Sequence, residues 1–490
     1  MREPVGFPGP LAAWQDGRVD GVRPGGRRSY WLREALADDP GEPCPPLAGG
    51  TEADVLVLGG GFTGMWTAYF VTEREPEARV VVLEQDICGG GPSGRNGGFV
   101  TSWWDELPDL VSAHGDAGAL AVCRAGDDTV RSIGEWCARH GVDAWFTPAG
   151  YLAVASSPAQ EGAWLQSTAD AARLGVAGAW TPLTADEVHA RCASPAFGGG
   201  AFSPGGAIVQ PARLARGLRR VLLERGVRIY EGTPVRRFRA GPPAEAETPG
   251  GIVRSPRAVI ATGAWTGGWP AFRRSLVTFT SYIVLTAPAP ERLAEIGWTA
   301  GEGIADVRFS LHYFRTTPDG RIAFGGGGGR VADAAAVGPR FTEDAESADR
   351  AAAGLRRLFP NFDSVPIEDA WGGPIDVSPT HRPFFGTLPS GNAHYGLGYT
   401  GNGVGPCHLG GRILSALTLG IEDDTTALPF VRPEPRRFPP EPIRTIGAHV
   451  AREALVRADA AADAGRSLGR AMGFAASLPR RFGYPIGPEP

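Results

Sequence analysis

Residues 53–84 read ADVLVLGGGFTGMWTAYFVTEREPEARVVVLE. Val55–Leu58 is a short apolar run of the kind that forms a buried parallel strand. Gly59, Gly61 and Gly64 follow in a G-x-G-x-x-G register, and an apolar helix opens there with Phe62 and Thr63 in its first turn. Each glycine has a mechanical reason: Gly59 for the tight turn, Gly61 so that backbone can approach a pyrophosphate, Gly64 so that helix can lie close to strand. The helix N-terminus adds unpaired N–H donors and the positive end of a dipole, which suits phosphates. Val80–Leu83 is a second apolar strand. Glu84 follows it about 20 residues after the last glycine, where a carboxylate accepts from ribose hydroxyls and repels a 2′-phosphate. The stretch therefore predicts a dinucleotide site that disfavours NADP.

Around this unit, 490 residues are enough for two domains, or one domain with a substantial insertion. Net charge is −5 with both signs spread along the chain, so no basic stripe points to nucleic acid. The opening MREPVGFPGP is not continuously apolar, and no stretch is long and apolar enough to cross a bilayer, so a cytoplasmic protein without a membrane span is expected. The six cysteines, Cys44, Cys88, Cys123, Cys137, Cys192 and Cys407, form no C-x-x-C pair, and neither a disulfide framework nor a metal site is signalled. The chain has no lysine, so all 48 basic residues are arginine. That excludes a lysine Schiff base and a lysine general base.

The fold class expected is α/β: a Rossmann-like nucleotide domain with an inserted antiparallel-sheet substrate domain. The division predicted is a lead-in over 1–50, the nucleotide domain over 51–106, 201–270 and 366–425, the substrate domain over 107–200 and 271–365, and a C-terminal extension over 426–490. Ser29 to Leu36 reads as a short helix in the lead-in. Helices are expected over 107–140, 158–174, 185–192, from Pro211 to before Gly226, and 343–358. Strands are expected over 150–155, 227–230, 235–238, 257–265, 276–286, 312–316 and 321–324, the last two joined by the turn TPDG. A strand over 395–397 leads to a second glycine turn at 401–405 and a helix to about Leu419. Residues 442–474 read as one Ala- and Arg-rich helix with Ile446, Val450 and Leu455 on one side. Asp459 and Asp463 interrupt its basic face, which favours packing on the body over a membrane surface.

Taken together, EADVLVLGGGFTG with VVVLE, GPSGRNGG, VQPARLARGL, TPVRRF, AVIATGAW, DGRIAFGGG, GGPIDVSPTHRPFFG and GYTGNGVG resemble the D-amino-acid oxidase superfamily of FAD enzymes. The branch is that of glycine oxidase, sarcosine oxidase and γ-glutamylputrescine oxidase, and the S-G-R-N-G-G element brings the last of these nearest. The resemblance implies a glutathione-reductase-type nucleotide fold and an FAD held extended between the two glycine turns. Gly59, Gly61, Phe62, Thr63 and Gly64 would hold the pyrophosphate, Glu84 the adenosine ribose and Val235 the adenine through its backbone. Ser93, Asn96, Gly97 and Gly98 would run beside the flavin, with Arg95 neutralising flavin or phosphate charge and Thr262 and Gly263 completing the nucleotide site. Gly401, Asn402, Gly403 and Val404 would aim a helix N-terminus at the flavin N1 and C2 carbonyl, where charge develops on reduction.

Departures from the family pattern matter too. Gly372 stands where covalent members carry a flavin-linking cysteine, which implies noncovalent FAD. The arginine and lysine that anchor a substrate carboxylate in sarcosine oxidase-like enzymes correspond to Thr101 or Ser102 and to Gly405. A small N-methyl amino acid is thus disfavoured as substrate. The oxygen-activating lysine is also missing, which leaves oxidase against dehydrogenase open.

The chemistry implied is hydride transfer from the carbon beside a neutral amine to flavin N5, then imine hydrolysis and reoxidation by molecular oxygen giving hydrogen peroxide. It asks for position and desolvation, not a triad. The catalytic candidates are His312, Tyr313 and Arg315, where alternation puts Tyr313 and Arg315 on one face and His312 on the other, and His381 in the loop after Asp376. A half-buried sheet surface accounts for the first three equally well. Trp103 and Trp104 read as a substrate wall or as packing; Asp105 and Glu106 as attractors of a cationic amine or as helix caps. His114, His140, His189 and His449 read as surface residues. Beside an amine substrate stand two other readings: an FAD dehydrogenase of a hydroxy acid or imino acid using another acceptor, and a flavin- or partner-binding protein without turnover.

Overall fold

The computed structural model describes residues 5–6, 28–333, 336–431, 436–466 and 468–485. Half of the lead-in, residues 1–4 and 7–27, therefore lies outside the described residues.

The four-residue apolar runs become the centre of a six-stranded sheet. Its order is Arg228–Tyr230, Val80–Leu83, Val55–Leu58, Arg257–Ile260, Ala393–Leu397, Phe384–Thr387, parallel throughout except for the last pair. Numbered along the chain, the first five strands stand 3-2-1-4-5. The order reverses between Val55–Leu58 and Arg257–Ile260, and a doubly wound sheet opens its ligand crevice at such a reversal. Both faces are covered, which is why these strands are apolar without alternation. Val55, Val57, Val80 and Val82 pack with helices Phe62–Arg74, Pro211–Glu224 and Val404–Leu419. Leu56, Leu58, Val81 and Leu83 pack with Phe238, Ala246, Val253 and Phe272.

A second sheet of eight strands runs Ile367–Val377, Val277–Thr286, Ile322–Gly326, His312–Thr316, Gly303–Asp306, Tyr151–Val154, Gly200–Ser203, Thr181–Leu183. All its pairs are antiparallel except Gly303–Asp306 with Tyr151–Val154. A smaller sheet contains the hairpin Ala244–Thr248 and Gly251–Ser255, for which no strands are expected above.

Ser29 caps the first described helix, Tyr30–Asp38, by accepting from Leu32 N–H. Three expected helices are broken. The segment 107–140 kinks at Gly115, whose φ of 69° and ψ of 173° are not helical. The segment 158–174 is a 3₁₀ turn, Pro158–Gln160, and a helix, Leu165–Arg173, separated by Gly162 at φ 81°. The segment 442–474 is two helices, Ile443–Asp463 and Arg470–Arg481. The first ends as Gly465, one residue past its cap, takes the left-handed φ of 64° that a helix-terminating glycine adopts at low cost. Among the described residues no helix is long and apolar enough to cross a membrane.

Candidate active site

A cavity of about 1090 Å³ opens at the strand-order reversal and continues to the end of the eight-stranded sheet. At the reversal Gly59 has φ 107°, and a Cβ there would stand 2.5 Å from the Ala261 carbonyl oxygen. Only glycine lets the two strand ends come this close. Gly61 lines the cavity in extended backbone, and Phe62 N–H, the first donor of the helix, reaches Ser93 Oγ at 2.8 Å. Thr63 donates from Oγ1 to Tyr399 Oη at 3.0 Å. Gly64 does not reach the cavity: a Cβ there would fall 2.0 Å from the Gly59 carbonyl oxygen, so its part is helix-on-strand packing.

Glu84 lines the cavity with both oxygens engaged, accepting from Gly60 N–H and Asp86 N–H, each at 2.8 Å. Burial pushes its carboxyl up to about 7 against the pull of those two bonds. Val235, Thr262 and Gly263 stand in the same wall.

In the turn after Glu84, Asn96 donates from Nδ2 to the carbonyls of Pro92 (3.0 Å) and Ser93 (3.2 Å), and Gly98 N–H donates back to Asn96 Oδ1 at 2.8 Å. The side chain thereby shapes the loop it stands in. Arg95 donates to the carbonyls of Gly90 at 3.0 Å and Gly372 at 3.3 Å, and burial lowers its guanidinium to about 10. Ser93, Arg95, Asn96 and Gly97 are in the wall; Gly98 is behind it, where a Cβ would meet the Val209 carbonyl at 1.9 Å. Opposite, Gly401 (φ 90°), Asn402, Gly403 and Val404 bring the N-terminus of Val404–Leu419 to the cavity.

Of the four catalytic candidates the cavity keeps Tyr313. Its Oη lies 2.9 Å from Ser281 Oγ, its ring would touch a Cβ at Gly97 at 2.7 Å, and burial pushes its phenol up to about 12. The other three are corrections. His312 is buried on the opposite face of the strand. Arg315, although it alternates with Tyr313, is 1% exposed, donates to the carbonyls of Val209 and Thr316, and lies 5.4 Å from the Trp31 ring. His381 is outside the wall, in a turn at φ 59°, with burial lowering its imidazole to about 4. Trp103 and Trp104 are packing: Trp103 meets Phe430 edge-on and Trp104 Nε1 donates to Asp127 at 2.9 Å.

The carboxylates of the wall were weaker in the sequence than in space. Asp105 lines the cavity with its side chain exposed to it, and Glu106 beside it, half-buried, accepts from Arg382 Nε at 3.0 Å. Desolvation at the cavity raises both carboxyls above the usual range. Neither side chain makes a cap bond to the helix Leu107–Arg139. Asp376 accepts from Gly398 N–H at 2.6 Å, and burial pushes it up to about 6. Tyr151, Phe309 and Leu311 also line the cavity, and no local sequence pattern marks them.

The site residues fit an extended dinucleotide: at one turn Gly59 admits a close approach that a Cβ would block, at the other Gly401 takes a φ of 90° that disfavours a side chain, and a helix N-terminus stands at each. The comparisons agree. A probable oxidoreductase OrdL of Rhizobium meliloti is 28% identical over 406 residues, covering 80% of this chain and 88% of the relative. The γ-glutamylputrescine oxidoreductase of Escherichia coli is 28% identical over 370 residues, covering 75% and 84%. Among solved structures, glycine oxidase from Geobacillus kaustophilus superposes with a TM-score of 0.64 at 19% identity, over 78% of this chain and 98% of that one. L-Proline dehydrogenase from P. horikoshii gives 0.62 at 18%, over 79% and 96%. The model of the DAO family, FAD-dependent oxidoreductases, matches residues 54–417. The chain belongs to that family and is an FAD-dependent oxidoreductase.

Proposed function

We propose that this chain oxidises a C–N bond of an amine carrying a second positive charge, with FAD held noncovalently. The observation that carries the reading is the charge of the wall: away from the nucleotide turn with its Arg236 and Arg237, its carboxyl groups are Asp105, Glu106 and Asp376, and the chain has no lysine. Arg95 and Arg315 are turned to backbone carbonyls, and Arg382 is paired with Glu106. A substrate carboxylate has no unengaged cation among these to meet, whereas an ammonium has Asp105. The likeness to a γ-glutamylputrescine oxidoreductase supports an amine larger than glycine or sarcosine.

Bound FAD supplies a hydride acceptor at N5 for the carbon beside the amine nitrogen. Gly59, Gly61, Glu84 and Val235 hold the nucleotide end, and Arg95, Asn96 and Gly97 the flavin end. The N-terminus of Val404–Leu419 supplies positive potential where negative charge gathers. Asp105 holds the distal cation, and Tyr313 with Tyr151 keeps water from the reacting carbon. The nucleotide domain (51–106, 201–270, 366–425) carries the cofactor in this reading and the substrate domain (107–200, 271–365) the roof. Noncovalent attachment is supported by Cys407, the cysteine of the wall, whose burial pushes its thiol up to about 12, far from a reactive thiolate. Oxygen is the proposed acceptor, giving hydrogen peroxide.

The test is the visible spectrum of the FAD-loaded protein under anaerobic panels of diamines, amino acids and hydroxy acids. Bleaching by diamines, with colour restored rapidly by air, is expected. Bleaching by hydroxy or imino acids alone overturns the amine reading, and slow recovery in air replaces oxygen by another acceptor.

A further inference from the structure

The helix Ile443–Asp463 lies beyond the stretch 54–417 matched by the family, yet it braces the wall of the cavity. Asp459 is 4% exposed and accepts from two backbone donors, Phe309 N–H at 3.1 Å and Ser310 N–H at 2.7 Å. A turn later Asp463 pairs with Arg308 at 2.9 Å and Arg357 at 3.4 Å. Two turns before Asp459, Arg452 donates to the carbonyls of Gly328 and Gly329, each at 2.8 Å. Val456 closes on the same loop, since a Cβ at Gly328 would stand 2.8 Å from Val456 Cγ2.

Residues 452, 456, 459 and 463 recur at the spacing of one helix face. That face therefore grips two loops at once, and both contribute to the cavity: Phe309 and Leu311 from one, Gly328 from the other. Phe309 is 46% exposed and Leu311 39%, so neither apolar side chain is fixed by burial in a core. Their backbone is what holds them, through Asp459 and through Gly327 N–H to the Leu311 carbonyl at 2.9 Å.

We propose that Asp459 is a positioning residue of the active site: by holding the 308–311 loop it sets the aperture at the substrate end, from a helix outside the stretch that the family model matches. The aromatic and aliphatic side chains at that aperture would then discriminate substrates by the length of their apolar part, while the carboxylate that fixes them never touches substrate.

The experiment uses the full FAD-loaded chain carrying Asp459→Ala or Asp459→Asn. Amide hydrogen exchange is read over 306–312 and 327–329, with FAD content alongside and, for the best amine of the panel above, KM and kcat separately. Asp459→Ala should speed exchange over 306–312 by about tenfold per bond lost. It should also raise KM about fivefold with kcat and FAD content nearly unchanged. Asp459→Asn keeps one of the two acceptor oxygens and should give exchange intermediate between wild type and Asp459→Ala, since the other N–H loses its acceptor. Unchanged exchange overturns the proposal, as does faster exchange spread over the whole chain, the sign of a fold-wide role. Because exchange involves no amine, it decides the proposal even if the amine reading fails.

Discussion

Asp306 accepts twice from His312, from its backbone N–H at 2.8 Å and from ring Nδ1 at 2.8 Å, and this pairing points the imidazole away from the cavity. Ser156 Oγ also donates to Asp306 at 2.9 Å, Arg308 stands 3.3 Å from both ring nitrogens, and the ring faces Phe324 and the helix Ala345–Leu358. His312 therefore belongs to the network that joins the eight-stranded sheet to the C-terminal helix. His312→Ala is expected to destabilise the chain by about 1–3 kcal/mol, since it leaves Asp306 buried with a lost partner. The rate of flavin reduction should stay within about threefold of wild type. Denaturant unfolding and stopped-flow reduction check both; a large fall in reduction rate without loss of stability returns His312 to the chemistry.

Asp105→Asn removes the proposed cation anchor. KM for a diamine should rise about 10- to 100-fold at pH 8, the cost of losing a charged hydrogen bond, with little change for a monoamine. Equal effects on both would remove Asp105 from recognition.

The same pair sets a pH dependence. Desolvation at the cavity raises the Asp105 and Glu106 carboxyls above the usual carboxylate range, so the pair takes up protons at a higher pH than free carboxyls do. Recognition should be complete at mildly alkaline pH and lost as pH falls through the raised range of this pair. Free amine also declines as pH falls, so the measurement is the ratio of wild-type to Asp105→Asn kcat/KM. That ratio should drop toward one on the acid side; a ratio independent of pH contradicts the assignment.

Gly61→Val should abolish FAD binding while leaving the fold, because a Cβ at Gly61 finds its nearest neighbour, Ser93 Oγ, at 3.1 Å, and the branch projects from a lining position. Gly64→Ala should instead unfold the domain, its Cβ meeting the Gly59 carbonyl at 2.0 Å. Flavin content and circular dichroism separate the two; a Gly61→Val protein with full flavin would sink the fingerprint.

Acid precipitation of the loaded protein should release the yellow colour to the supernatant. Colour retained in the pellet would mean a covalent link, and Cys407 would be the first residue to examine.

The sequence by itself determined what depends on neighbours along the chain. Val55–Leu58, Gly59, Gly61, Gly64, Val80–Leu83 and Glu84 are legible because strand, turn, helix and strand follow within one short unit whose glycines answer local steric demands. The second turn at Gly401 and the helix Val404–Leu419 are legible for the same reason. Even there the hairpin Ala244–Thr248 and Gly251–Ser255 passed unread, although Ala244, Ala246 and Val253 alternate inward, because Ala and Glu carry little β-propensity.

What only the tertiary structure decided is which side of each element faces the cavity and what it meets across hundreds of residues. Alternation separates His312 from Tyr313 but cannot say which face is inward, and it groups Arg315 with Tyr313 although Arg315 ends against Val209 and Trp31. Asp459 reads on its helix as a break in a basic face, and only the docking of that helix, 149 residues from Ser310 along the chain, makes it the acceptor that holds the 308–311 loop. Local sterics write turns and strands into the sequence; the pairing of distant surfaces depends on how whole elements bury their apolar faces together, which short patterns do not encode.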